Sequence, residues 1–179
     1  ERADLVTTFG NRKIWMSASS WRPHKRLNSN IEYFIKNSKK DDIMLIAGGG
    51  ASKEDFYNYE NLINSRIFYL GHTDWETLIS LYKTADTFIH LAFLDHCPNV
   101  VVDAAACGAT IVCASSGGTS EIEADTMIVV EDMNWNFKPL RLYEPPPLKF
   151  ENKVKITKKS DYNLDKAADM YADSIRSLF

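Results

Sequence analysis

The chain has 179 residues, 45% of them hydrophobic and 12% aromatic, enough for one well-buried domain and too few for two ordinary ones. With 21 Lys and Arg against 24 Asp and Glu the formal charge is −3, a balance that argues against a nucleic-acid footprint. No window approaches about 18 consecutive apolar residues, so no membrane-spanning helix is expected.

Residues 1–12 are mixed and weakly patterned, like a linker or the tail of a preceding segment. The chain starts at Glu1 without methionine or a signal-like stretch, which suggests a piece cut from a longer protein. A single folded domain is expected over 13–179. Six short apolar runs follow in order: KIWMSASS (13–20), IMLIA (43–47), IFYL (67–70), TFIHL (87–91), TIVCA (110–114) and MIVV (127–130). Each is continuous rather than alternating, as in strands covered on both faces.

Between the runs lie helical patterns. Leu27, Ile31, Phe34 and Ile35 fall on one face, and so do Trp75, Leu78, Ile79 and Tyr82, with Thr73 and Glu76 placed to form a capping box. Pro98 suits the first turn of a third helix and Gly108 its stop. After Val130 the pattern breaks down into a proline-rich surface stretch, and a last helix is predicted over about 163–178. The βαβα alternation predicts an α/β fold: a doubly wound, parallel, six-stranded Rossmann-like sheet with helices on both faces.

In such sheets ligands bind beyond the carboxyl ends of the strands, where strand order reverses. A dinucleotide fingerprint would need glycines after the first strand and an acid at the end of the second. Here the first loop is WRPHKRLN and the second is GGGAS, so a nicotinamide site is disfavoured; the Walker pattern is absent too.

The first loop carries Arg22, His24, Lys25 and Arg26 before a helix start, where cations are unfavourable unless they share an anion. It reads either as a phosphate clamp or as a solvated charged turn. In AFLDHCPNVVVDAAACG (92–108), Asp95 and Asp103 are separated by seven residues. Asn99 and Asp103 share one helical face while Val101, Ala104 and Ala105 occupy the other, so Asp103 can accept hydrogen bonds from vicinal hydroxyls such as those of a ribose. Taken singly, each aspartate reads as an ordinary cap or solvated acid. Together with Gly49, His72 and Gly118 arriving from other strand ends, the binding reading prevails. The N–H groups around Pro98, Asn99 and Val100 offer a further anion site. The odd cysteine count (Cys97, Cys107, Cys113) points to reduced thiols, and His90, His96 and Cys97 match no common metal spacing, so no metal site is expected.

The segments SSWRPHKRLN and IFYLGHTDWETLISLYKTADTFIHLAFLDHCPNVVVDAAACGATIVCASSGGTSEI resemble the C-terminal, donor-binding half of a GT-B glycosyltransferase, of the large retaining family marked by two glutamates with seven residues between them. The resemblance covers roughly 13–130 and the final helix. It implies that Asp95 contacts the donor sugar, that Asp103 binds the nucleotide ribose and that Lys25 binds the pyrophosphate. Both acids are one methylene shorter than the family's glutamates. The family's arginine five residues before the lysine is Ser20 here, with Arg22 or Arg26 as its substitute. Gly71 and His72 would border the base, the alternative for His72 being a plain turn residue.

The implied function is transfer of a hexose from a donor such as a UDP- or GDP-hexose to a glycan, lipid-linked or other acceptor, as in polysaccharide biosynthesis. Cations would replace a divalent ion, and no cofactor is implied. The acceptor would lie on an N-terminal domain absent from this chain. A cytoplasmic setting is expected, with any membrane contact peripheral and made through that absent domain. Two alternatives remain: a non-catalytic sugar-nucleotide binding module and a GT-B sugar-nucleotide epimerase.

Overall fold

The computed structural model describes residues 12–122, 124–133, 139–156 and 176, apart from the side chain of Asn152. Residues 1–11, and the helix expected over 163–178 but for Arg176, lie outside the described residues. All six expected strands form: β1 (Ile14–Ala18), β2 (Ile43–Ala47), β3 (Ile67–Gly71), β4 (Thr87–His90), β5 (Thr110–Ala114) and β6 (Thr126–Glu131). Every residue of β1 and β2 is buried, which is why these runs are apolar throughout instead of alternating. Three α-helices connect them: α1 (Leu27–Asn37), α2 (Trp75–Thr84) and α3 (Asn99–Ala106).

One strand was not expected. β7 (Leu148–Ile156) joins the sheet antiparallel to β6, so the sheet has seven strands in the order β3-β2-β1-β4-β5-β6-β7 rather than six. The triple proline upstream hides a clear signal, because LKFENKVKI places Leu148, Phe150, Val154 and Ile156 alternately with charged residues. Leu148 and Phe150 pack on the core, and Lys153 reaches back over the Tyr33 ring of α1, 5.1 Å from its centroid, while Lys149 and Lys155 are exposed at the sheet edge, where charge discourages further strand pairing.

The two faces of the sheet make two cores. On one, Met16, Leu45, Phe88 and Ile111 pack against Tyr82 of α2 and Val101, Ala104 and Ala105 of α3. On the other, Met44, Ile46, Ile89 and Val112 pack against Leu27, Ile31 and Phe34 of α1. The α2 start differs from expectation in two respects. Asp74, not Thr73, is the N-cap, accepting from Thr77 N at 2.9 Å and Thr77 Oγ1 at 2.8 Å. Trp75, expected on the apolar stripe, is 69% exposed, while Leu78 and Ile79 of that stripe pack against the core. Strand order reverses between β1 and β4, so the loops that leave these two strands flank the crevice where α/β sheets bind ligands.

Candidate functional site

Two charged residues meet at the switch point. A single 3-10 turn, Pro23–Lys25, leaves β1 and delivers Lys25; the loop from β4 turns through Leu94, with φ of 53°, and delivers Asp95. Lys25 Nζ donates to Asp95 Oδ2, and His90 Nε2, at the end of β4, lies 2.8 Å from that same oxygen. The imidazole side chain is only 3% exposed. Burial lowers its basicity, and since an ionised carboxylate only accepts, Nε2–H is the donor. The hydrogen bond from His90, joined by that from Lys25, outweighs burial and holds the Asp95 carboxyl well below the usual carboxylate range.

This shift sets a pH dependence. A carboxyl depressed in the folded state contributes stability that is present above its unfolded pKa, about 3.9, and is lost as pH falls toward the folded value. The stability gap between wild type and Asp95→Asn is therefore expected to be constant above about pH 5 and to shrink below about pH 4. Urea unfolding across that range checks it; a gap independent of pH would mean that Asp95 carries no linked proton.

The acid loop rests on the loop after β5. Ser116 Oγ accepts from Leu94 N at 3.1 Å, and Asp95 O accepts from Gly118 N at 3.0 Å and Thr119 Oγ1 at 3.3 Å. A Cβ on Gly117 or Gly118 would collide with the backbone of Asp95 or His96, so only glycine allows this approach. Gly118 thus acts beneath the acid loop, its N–H already committed.

The other glycines differ. Gly49 has open space around it, and its carbonyl accepts from Trp21 N at 2.9 Å; the close approach to the first loop belongs to its neighbours Gly48 and Gly50, the latter 2.7 Å from Trp21 O if given a Cβ. Gly71, with φ of 66°, ends β3, and its carbonyl accepts from Gly48 N at 2.6 Å; His72 beyond it is exposed.

Arg26 does not stand in for the missing phosphate arginine. Its Nη1 pairs with Glu131 Oε1 at 2.6 Å, side chains 5% and 1% exposed, and its Nη2 donates to Pro146 O at 2.6 Å. Arg22 is exposed and lines a cavity of about 420 Å³ with Trp21, Pro23, Leu27, Gly50 and Asp55, whose lining includes neither Lys25 nor Asp95.

At α3, Pro98 is the buried N-cap, Asn99 is exposed and Val100 half-buried; no acid occupies the first turn, and among the described residues no side chain caps it. Asp103 is half-buried on the same face as Asn99, and its carboxylate makes no hydrogen bond among the described residues. Across the α2–α3 contact, Tyr82 is fully buried with its Oη unpartnered among the described residues, and burial, then Asp103, pushes its phenol up.

Sequence reasoning missed His90 as Asp95's partner, because the Nε2 contact spans five residues and a turn that no local pattern encodes. It also missed Glu131, which arrives from the far end of β6. Among the described residues no three His, Cys, Asp or Glu side chains gather as metal ligands, and no helix is long and apolar enough to cross a membrane.

The chain is thus a doubly wound α/β domain with an ion-paired acid at the switch point, where sheets of this kind bind ligands. The glycosyl transferases group 1 family matches residues 6–136, and the chain belongs to that family. No curated protein matches it in sequence.

Among solved structures, HepE from Anabaena, in complex with UDP and glucose, superposes with a TM-score of 0.61 at 19% identity, over 70% of this chain and 37% of that one. WaaG, a glycosyltransferase involved in lipopolysaccharide biosynthesis, gives 0.59 at 12% over 74% and 37%. Sucrose-phosphate synthase from Thermosynechococcus elongatus gives 0.58 at 17% over 72% and 35%. The chain therefore spans little more than a third of the length of these structures. At such identities the likeness establishes the fold, a Rossmann-like half of the GT-B architecture.

Proposed function

We propose that this chain is the donor-binding half of a hexosyltransferase of the retaining type, holding a nucleoside-diphosphate sugar along the carboxyl edge of the sheet. The observation that carries the reading is the meeting of Lys25 and Asp95 at the switch point, beside the uncapped start of α3. In this reading Asp95 takes a hydroxyl of the sugar and Asp103 the ribose. Lys25, with the N–H groups of Asn99 and Val100, receives the diphosphate, and Gly71 and His72 border the base. Breaking the sugar–phosphate bond leaves negative charge on the diphosphate, which those preorganised donors stabilise as it develops. Arg22, which lines the neighbouring cavity, adds a further cation on the same loop. The acceptor, a glycan or lipid-linked sugar, is assigned to a partner domain. Ser20, in place of the family's arginine, favours the second reading, a sugar-nucleotide binding module without turnover.

Lys25→Ala is the direct test. Because Lys25 must leave Asp95 to reach a phosphate, its net contribution is smaller than that of a free cation, and UDP or GDP affinity is expected to fall about 3–10-fold while uridine or guanosine affinity stays within about twofold. Calorimetry with both pairs decides it: equal losses place Lys25 away from the phosphates. Sugar transfer by the full-length protein separates the catalytic reading from the binding module, and release of an epimerised sugar would reveal an epimerase.

A further inference from the structure

We infer that His90 is a positioning residue for Asp95: it fixes one carboxylate oxygen, Oδ2, at the switch point so that the other, Oδ1, is presented to a hydroxyl of the donor sugar. This rests on the proposed nucleotide-sugar reading.

The backbone of the acid loop is held by the β5 loop through Ser116, Gly118 and Thr119, but those bonds fix the peptide at Asp95 and leave its side chain free to rotate. Two groups hold the carboxylate, both at Oδ2; Oδ1 accepts no hydrogen bond among the described residues. The two holders are unequal. Lys25 sits on a flexible four-carbon stem, is half-buried, and is the cation assigned to the diphosphate. Once it turns to a phosphate, it no longer restrains Asp95. His90 has nowhere to go: it ends β4 in register with Cys113 of β5, and its side chain is 3% exposed.

The charge environment keeps the ring in the required form. Burial first, then Lys25, opposes protonation, while Asp95 alone favours it, and Arg22 and His24 sit on the same cationic loop. The imidazole therefore stays neutral, with its proton on Nε2. That supplies a directed donor without adding a second cation beside the sugar. Asp95 is held by one oxygen and leaves the other for a ligand, the arrangement a preorganised acceptor requires.

The test has a ligand-free arm and a ligand arm. In the ligand-free arm, ¹⁵N NMR of wild-type His90 is expected to show a neutral Nε2–H ring at about pH 7 to 8; a protonated ring or an Nδ1–H tautomer there would overturn the inference. His90→Leu should raise the carboxyl titration of Asp95 toward the ordinary aspartate range. His90→Gln, which keeps a donor at similar reach, should leave it low. In the ligand arm, the tighter of UDP-glucose and GDP-mannose is compared with its own diphosphate. His90→Leu should weaken the sugar nucleotide about tenfold and the diphosphate less than about threefold, with His90→Gln restoring both. Equal losses, or an unmoved Asp95 titration, would reduce His90 to a core residue. A wild type that binds the diphosphate but gains nothing from the sugar, or binds neither, overturns the site reading and with it the sugar role of Asp95, even where the titration arm shows His90 holding the carboxylate.

Discussion

Glu131→Ala is expected to destabilise the domain by about 3–5 kcal/mol, because it strands a buried guanidinium. Arg26 and Glu131 are 105 residues apart in sequence and 2.6 Å apart in the fold. Arg26 has two other hydrogen-bond acceptors, the carbonyls of Leu91 at 3.1 Å and Pro146 at 2.6 Å, and its guanidinium lies 5.3 Å from the centroid of the Phe93 ring. None of these carries a negative charge. Removing Glu131 therefore leaves an uncompensated cation whose side chain is only 5% exposed.

For a chain of this length the loss corresponds to a fall in Tm of roughly 6–20 °C. Glu131→Gln, which keeps an acceptor, should cost less. Arg26→Met with Glu131→Leu should recover part of the loss, since replacing both partners removes the stranded charge. Thermal and urea unfolding of the four proteins check this; a loss below about 1 kcal/mol for Glu131→Ala would show that the carbonyls alone satisfy Arg26. The pair also bears on function. Arg26, with φ of 52°, closes the turn that delivers Lys25, so loosening it should blur the position of Lys25 as well.

The six parallel strands were legible in the sequence because a parallel sheet covered on both faces needs unbroken apolar runs, and six such runs stand clear of their neighbours; their order in the sheet was not. β7 was harder to see. An edge strand alternates over only a few residues, and here the proline-rich stretch before it dominates the local composition. At the site, the sequence singled out the loops after β1 and β4 and the acids Asp95 and Asp103, because glycines, prolines and charges at strand ends are conspicuous. It could not say which partner each charge takes. Arg26 and Lys25 are adjacent cations on one turn, yet the left-handed conformation of Arg26 directs it under the loop to Glu131, while Lys25 faces the crevice and Asp95. Such a division depends on the backbone geometry of one residue, which composition and spacing do not carry. The glycines show the same limit: GGG was conspicuous, but the close packing falls on Gly48 and Gly50 and not on Gly49.

Asp103→Asn should weaken binding of a ribonucleoside diphosphate by about 1.5–3 kcal/mol, the scale of a hydrogen bond to a charged group, if its carboxylate accepts the ribose 2′- and 3′-hydroxyls. The 2′,3′-dideoxy analogue, which offers nothing to accept, should lose much less. Asp103 is half-buried on α3, one turn beyond Asn99, with no hydrogen bond to its carboxylate among the described residues, so it has capacity to spare for a ligand. The substitution removes a negative charge near the unpartnered phenol of Tyr82, whose ionisation burial and Asp103 both oppose. Folding should survive it, and an unchanged Tm without ligand is the control. Comparing the protein change with the ligand change isolates the contact, because any general loosening of α3 would weaken both nucleotides alike. Equal weakening would therefore assign Asp103 a structural role, and no weakening would make it a solvated helix acid. Loss confined to the ribonucleotide would place the ribose one helical turn beyond the uncapped N–H groups of Asn99 and Val100, the separation that a diphosphate at those groups and a ribose at Asp103 require.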